Sequence, residues 1–152
     1  MQHSEDITIL MVEDEDAHAA LIERTLRRVG LSNEIVRARN GQQAVDYLFS
    51  QGQYTGHPPA SPLVVFLDLN LPLLSGYQVL EHIKSHLKTR RVPVVIITTT
   101  DDPREMERCY DLGANAYVSK PMEFDQFNTT MRNLGQFLSV VTIPKLAAAA
   151  RL

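Results

Sequence analysis

Cysteine is nearly absent. Cys109 is the only one in 152 residues, which excludes an intrachain disulfide and any cysteine-built metal cluster. Long apolar runs are missing as well: none approaches the roughly 18 residues that a membrane span requires. No charge sign dominates, and a formal net charge of -3 is too mild to recruit nucleic acid or a membrane surface by electrostatics alone. The stretch Met1 to Asp6 is polar and acidic, unlike a secretory leader. Internal repeats and a second composition are lacking too. These absences predict a cytoplasmic protein with one core, large enough to be stable without staples.

What is present is a series of short apolar runs, each ending on a chemically capable side chain. Leu63 to Leu67, followed by Asp68-Leu69-Asn70, reads as a strand buried on both faces, as in a parallel sheet. Pro72 forbids simple continuation of the ladder. Ile7 to Val12 is a second such run and leads into Glu13 and Asp14. Glu34 to Ala38 is a weaker strand, suited to a sheet edge. Val94 to Ile97 ends on Thr98, Thr99 and Thr100, and Asn115 to Ser119 ends on Lys120 and Pro121.

Helical spacing separates the runs. Ala19, Ile22, Leu26 and Val29 share one face, with Asp14 or Asp16 as the expected cap and Gly30 as the stop. Asn40-Gly41 opens a second helix holding Ala44, Val45, Leu48 and Phe49. Ser50 to Pro62 is rich in glycine, proline and small polar residues and reads as an extended loop without regular structure. Gly76 begins a third helix with Val79, Leu80, Ile83 and Leu87 on one side. Asp101-Asp102-Pro103 starts a fourth that stops at Gly113. The last helix is expected over about Glu123 to Ser139, with Phe124, Phe127, Met131, Leu134, Leu138 and Val141 as its seam. Phe137, Val140 and Ile143 form a second apolar set, which reads either as a surplus for a partner surface or as a longer core helix. Lys145 to Ala149 reads either as a vector-derived scar or as a native tail. The expected organisation is thus one domain over 1–144 and a tail over 145–152.

Strand and helix alternate five times with mostly short connections. The pattern predicts an α/β fold, a doubly wound five-stranded parallel sheet of flavodoxin-like type with helices on both faces. In such a sheet the strand ends gather on one rim, beside the topological switch point. Glu13, Asp14, Asp68, Thr98 and Lys120 therefore converge. Three carboxylates ~4 Å apart at an effective dielectric near 20 repel by ~4 kcal/mol per pair. Either their pKa values rise or a hard cation lies among them, and an all-oxygen set suits Mg2+. The backbone carbonyl of Asn70 is a further candidate ligand. A carboxylate beside such a cation, with a lysine and a hydroxyl at hand, has what an aspartyl phosphate needs. Taken singly, each residue has a structural reading as a helix cap, turn residue or strand former; their order at successive strand ends carries the functional one.

With those residues in view, the chain resembles the receiver domain of two-component response regulators over about Ile7 to Leu138. The resemblance rests on VED at Val12 to Asp14, LDLNLPLLSG at Leu67 to Gly76, PVVIITT at Pro93 to Thr99 and LGANAYVSKP at Leu112 to Pro121. It implies that Asp68 is the phosphoacceptor, that Glu13 and Asp14 hold Mg2+ with it, and that Thr98 and Lys120 bind the phosphoryl group. It further implies that Tyr117 is the aromatic that changes rotamer with Thr98, and that Lys120-Pro121 is a cis peptide. Glu13 in place of aspartate is a common departure, compatible with metal binding. Thr99, where many members have alanine, implies narrower access to the site.

Finer features are similar to the stand-alone regulators of cyanobacterial and bacterial phytochrome kinases: DYLFSQGQY at Asp46 to Tyr54, CYDLGANAY at Cys109 to Tyr117 and FLSVVTIP at Phe137 to Pro144. That likeness implies a phytochrome sensor histidine kinase as partner and a homodimer formed through the last strand and its flanking helices. With nothing after residue 144 that reads as an output domain, output is expected through protein contact or dimerisation, with no nucleic acid and no membrane as partner. The expected role is a switch that is not an enzyme. Two alternatives are a haloacid dehalogenase-like phosphohydrolase and a pseudo-receiver scaffold that never carries phosphate. The first is disfavoured because Asp68 is followed by Asn70 and not by a second acid two residues on, and the second because the acidic, hydroxyl and lysine set is intact.

Overall fold

Five short, mainly apolar segments bury both of their faces between two layers of helices. In the computed structural model, which describes residues 6–120 and 123–146, they do so as β1 (Thr8–Val12), β2 (Ile35–Ala38), β3 (Leu63–Leu67), β4 (Val94–Thr98) and β5 (Ala116–Ser119). All neighbours are parallel, in the order β2-β1-β3-β4-β5. The alternating helices are α1 (Asp16–Arg28), α2 (Gly41–Phe49), α3 (Gly76–Ser85), α4 (Pro103–Asp111) and α5 (Phe124–Val140). The expected doubly wound fold, its edge strand β2 and its central strand β3 are all present.

Successive strand residues point to opposite faces, so each strand feeds two cores. Leu63, Val65 and Leu67 of β3 pack with Leu48, Val79, Leu80 and Ile83. Val64 and Phe66 pack with Ile22, Leu26, Met131 and Leu138. Burying each such side chain stabilises the fold by about 1.5–3 kcal/mol. Cys109 lies fully buried in the first layer, where burial pushes its thiol up to about 11.

Local chemistry explains the helix starts. Ser75 and Gln78 form a reciprocal capping box at α3, with the Ser75 amide donating to Gln78 at 2.9 Å and the Gln78 amide to Ser75 Oγ at 3.3 Å. Asp102 caps α4, with Pro103 in the first turn.

Five expectations need correction. Neither Asp14 nor Asp16 caps α1: Glu15 occupies the cap position without a side-chain bond, and Asp16 instead accepts from Arg37 and Arg39 at 2.6 Å each. The loop before β3 contains one 3-10 turn, Gly52–Tyr54. Leu87 does not share the face of α3; the helix ends at Ser85, His86 is extended, and Leu87 is exposed. The second apolar set on the last helix splits, because the chain leaves the helix at Val141 and turns back. Ile143 is 3% exposed within the second core, whereas Phe137 and Val140 are 55% and 82% exposed. Leu146 packs against the first core and its amide donates to Ser61 Oγ at 2.8 Å, so the segment read as a tail begins docked. Residues 147–152 lie outside the described residues.

Candidate functional site

The rim formed by the carboxyl ends of the strands is assembled by ladder bonds that run one residue past each strand. The Glu13 amide donates to Ala38 O at 3.0 Å, the Asp68 amide to Val12 O at 3.1 Å, and the Lys120 amide to Thr98 O at 2.6 Å. Each functional side chain therefore leaves a backbone already pinned to its neighbour. Beyond Asp68 the chain turns sharply. The Asn70 amide donates to Asp68 Oδ1 at 3.2 Å, fixing the carboxylate's rotamer. The turn then runs close under the start of α3, where a Cβ on Gly76 would lie 2.2 Å from the Asp68 carbonyl oxygen. Only glycine lets α3 begin there.

Oxygens of Glu13, Asp14 and Asp68 lie within 4.8 Å of one another, with Glu13 and Asp68 buried and Asp14 exposed. Lys120 reaches into this group. Its buried ammonium donates to Asp68 Oδ2 at 3.0 Å and to Glu13 Oε1, and it lies 3.2 Å from His18 Nδ1. Burial pushes Glu13 above the usual carboxylate range, offset only in part by Lys120. For Lys120, burial opposes the charge, but the Glu13 hydrogen bond and the Asp68 carboxylate outweigh it and hold the ammonium above the ordinary lysine value.

Thr98 is fully buried at the end of β4, and its Oγ1 has no hydrogen-bond partner among the described residues. An orphaned hydroxyl inside a protein costs about 1–3 kcal/mol, so its retention points to a ligand oxygen. Three carboxylates balanced by one ammonium likewise leave a deficit of positive charge. Their all-oxygen donor set fits Mg2+ or Mn2+. Tyr117 points away from this centre toward the β4–α4 connection. Its hydroxyl donates to Thr100 O at 2.7 Å, and burial pushes it up to about 12.

The residues expected from the sequence thus meet at one rim: Glu13, Asp14, Asp68 and Lys120 in direct proximity, and Thr98 bonded through its backbone to Lys120. Asn70 follows in the same turn, exposed. The expected cis bond at Lys120-Pro121 lies outside the described residues. Two contributors escape a linear reading. His18, one turn into α1, faces Lys120 through Nδ1 and Glu15 through Nε2 at 3.3 Å; a histidine four residues past the acidic pair was the available signal. Arg37, on β2, donates to the Glu13 carbonyl from Nε at 3.1 Å and Nη2 at 2.9 Å.

Comparison with known proteins agrees with this geometry. The response regulator receiver domain profile matches residues 9–132. A response regulator receiver domain from Rhodospirillum rubrum is 45% identical, superposes with a TM-score of 0.86, and is covered over 93% of this chain and 99% of its own. Response regulator Rcp1 of Synechocystis sp. is 33% identical over 90% of this chain and 92% of its own. Its Mn2+-bound crystal structure superposes with a TM-score of 0.83, with 31% identity over 90% of this chain and 98% of its own. The phosphorylated cyanobacterial phytochrome response regulator RcpA is 33% identical, covers 90% of this chain and 97% of its own, and gives 0.82.

Proposed function

Because the chain belongs to the response regulator receiver domain family of two-component systems, whose members are phosphoacceptor switches and not enzymes, we propose that Asp68 takes the phosphoryl group from a phytochrome sensor histidine kinase. The observation that carries this reading is the buried Lys120 ammonium shared by Glu13 and Asp68 beside an unpartnered Thr98 hydroxyl. Receivers bind Mg2+ or Mn2+ at an acidic site; here Glu13, Asp14, Asp68 and the Asn70 carbonyl are the proposed ligands. When bound, the cation shields the negative oxygens of the incoming group.

The protein's own residues do the rest. The Asn70 amide holds Asp68 Oδ1, leaving Oδ2 on the Lys120 side as the attacking face. Phosphorylation adds about -1.5 to -2 charge and three acceptor oxygens. Lys120 exchanges a carboxylate oxygen for a phosphoryl oxygen, and Thr98 gains the partner it lacks. Tyr117 gives up Thr100 O and follows Thr98 inward, altering the surface of α4, β5 and α5. The exposed pair Phe137 and Val140 supports a homodimer through β5 and its flanking helices. The phytochrome partner is supported by the likeness to RcpA. A cytoplasmic location and a single domain over 1–144 complete the reading; among the described residues no helix is long and apolar enough to cross a membrane.

Incubation with Mg2+ and acetyl phosphate, followed by intact-mass measurement, tests the site. The wild-type chain should gain one phosphoryl group and Asp68→Asn none; equal gain in both would place the acceptor elsewhere. Light scattering before and after phosphorylation tests the dimer. Phosphotransfer from a phytochrome kinase should outpace that from an unrelated histidine kinase, and equal rates would remove the phytochrome assignment.

A further inference from the structure

We propose that Arg37 is a positioning residue for the metal ligands, its guanidinium holding the Glu13–Asp14 peptide so that both carboxylates face one cation. The inference rests on the functional reading above. Adjacent residues on extended backbone point to opposite faces. Glu13 and Asp14 are adjacent, one buried and one exposed, yet their oxygens and those of Asp68 fall within 4.8 Å. The backbone between them must therefore leave the strand geometry and be held in another.

The ladder cannot hold it. The last β1–β2 register pair is Val12 with Ala38. The Glu13 amide takes Ala38 O, and β2 then ends as Asn40 caps α2. The Glu13 carbonyl lies just past the strand pairing, and Arg37 reaches it from beside Met11. Nε and Nη2 grip that one oxygen at 3.1 and 2.9 Å, while Nη1 holds Asp16 Oδ1 at 2.6 Å. One planar group thus fixes the peptide before Asp14 and the first residue of α1 after it, bracketing Asp14 from both sides. Lysine, with a single ammonium on a flexible stem, cannot reproduce the fork.

Charge and position make opposite predictions. As a nearby cation, Arg37 should weaken metal binding, so its removal would tighten it. As a positioning group it should strengthen binding. Arg37→Lys keeps the charge and loses the fork; Arg37→Met loses both.

Titration of the full chain with Mg2+ and with Mn2+, read by calorimetry, should show both variants binding about tenfold more weakly than wild type, as removal of an outer partner of a metal ligand typically does. Arg39→Met, which removes a neighbouring cation that reaches Asp16 but not Glu13, should bind no more weakly than wild type. The Asp14 amide resonance, which reports polarisation of the gripped peptide, should move in Arg37→Lys while the rest of the spectrum stays dispersed. Affinity in Arg37→Lys equal to or tighter than wild type, or an unmoved Asp14 signal, would overturn the proposal. Wild-type protein that binds neither ion would instead bring down the functional reading, and this inference with it.

Discussion

Replacing Lys120 by methionine isolates the electrostatics of the rim. The substitution keeps most of the buried stem and removes the charge. Glu13 and Asp68 are then left buried, with oxygens no more than 4.8 Å apart. At an effective dielectric near 20, two carboxylates at that separation repel by about 3.5 kcal/mol. This agrees with the ~3–5 kcal/mol usually lost when one partner of a buried pair is removed. With a urea slope of about 2 kcal/mol/M, the unfolding midpoint should fall by about 1.8 M. Two independent remedies should restore it. Saturating Mg2+ supplies the missing positive charge and should help the variant more than the wild type. Lower pH should also help, because the pKa of Glu13, already raised by burial, rises further without Lys120. A carboxyl whose folded pKa lies above its unfolded value loses stability as pH increases through that interval, so acidification regains it. Urea denaturation followed by circular dichroism, with and without Mg2+ and at two pH values, measures all three effects. An unchanged midpoint in metal-free buffer would show that the carboxylates do not oppose one another, and would refute the charge deficit on which the metal site depends.

Thr98→Val removes the orphaned hydroxyl without changing shape; the unphosphorylated protein should gain about 1 kcal/mol in urea unfolding, while phosphate release from the phosphorylated variant should quicken. Lower stability would mean that the hydroxyl is already bonded. Gly76→Ala forces its methyl against the Asp68 carbonyl oxygen and should cost about 1–3 kcal/mol or more, with loss of phosphoryl uptake; wild-type stability and uptake would show that the turn has room. The Cys109 thiol, raised from 9.0 to about 11, favours the protonated form in the folded state. Its contribution is full below pH 9.0 and disappears as pH climbs to about 11, a loss approaching ~2–3 kcal/mol. In alkaline urea titrations the stability of wild type relative to Cys109→Ala should therefore fall as pH rises through that interval.

Much of this rim was legible in one dimension because the fold turns sequence punctuation into geometry. Asp68, Thr98 and Lys120 each follow a short apolar run, and parallel strands bring all such endings to one side. The α3 and α4 starts were legible for a similar reason: Gly76 and Pro103 have strong positional meaning. What escaped depends on contacts between elements. Arg37 acts across the β1–β2 register, and nothing local distinguishes it from the exposed Arg39 two residues on. His18 is one of several polar residues of α1, and only the fold brings Lys120 to it. Ile143 and Phe137 were grouped by helical spacing, but the helix ends at Val140 and the spacing no longer applies. Leu87 misled in the same way, since its periodicity outlasts α3 by two residues.

The seclusion of the sole thiol has a practical use. Maleimides and spin labels react with accessible thiolates, and Cys109 offers neither exposure nor ready ionisation. A cysteine introduced at Phe137 or Val140 would therefore carry a reporter group on an otherwise silent background. Distances between two such reporters would trace this surface through a complete signalling cycle, with the native sequence elsewhere untouched.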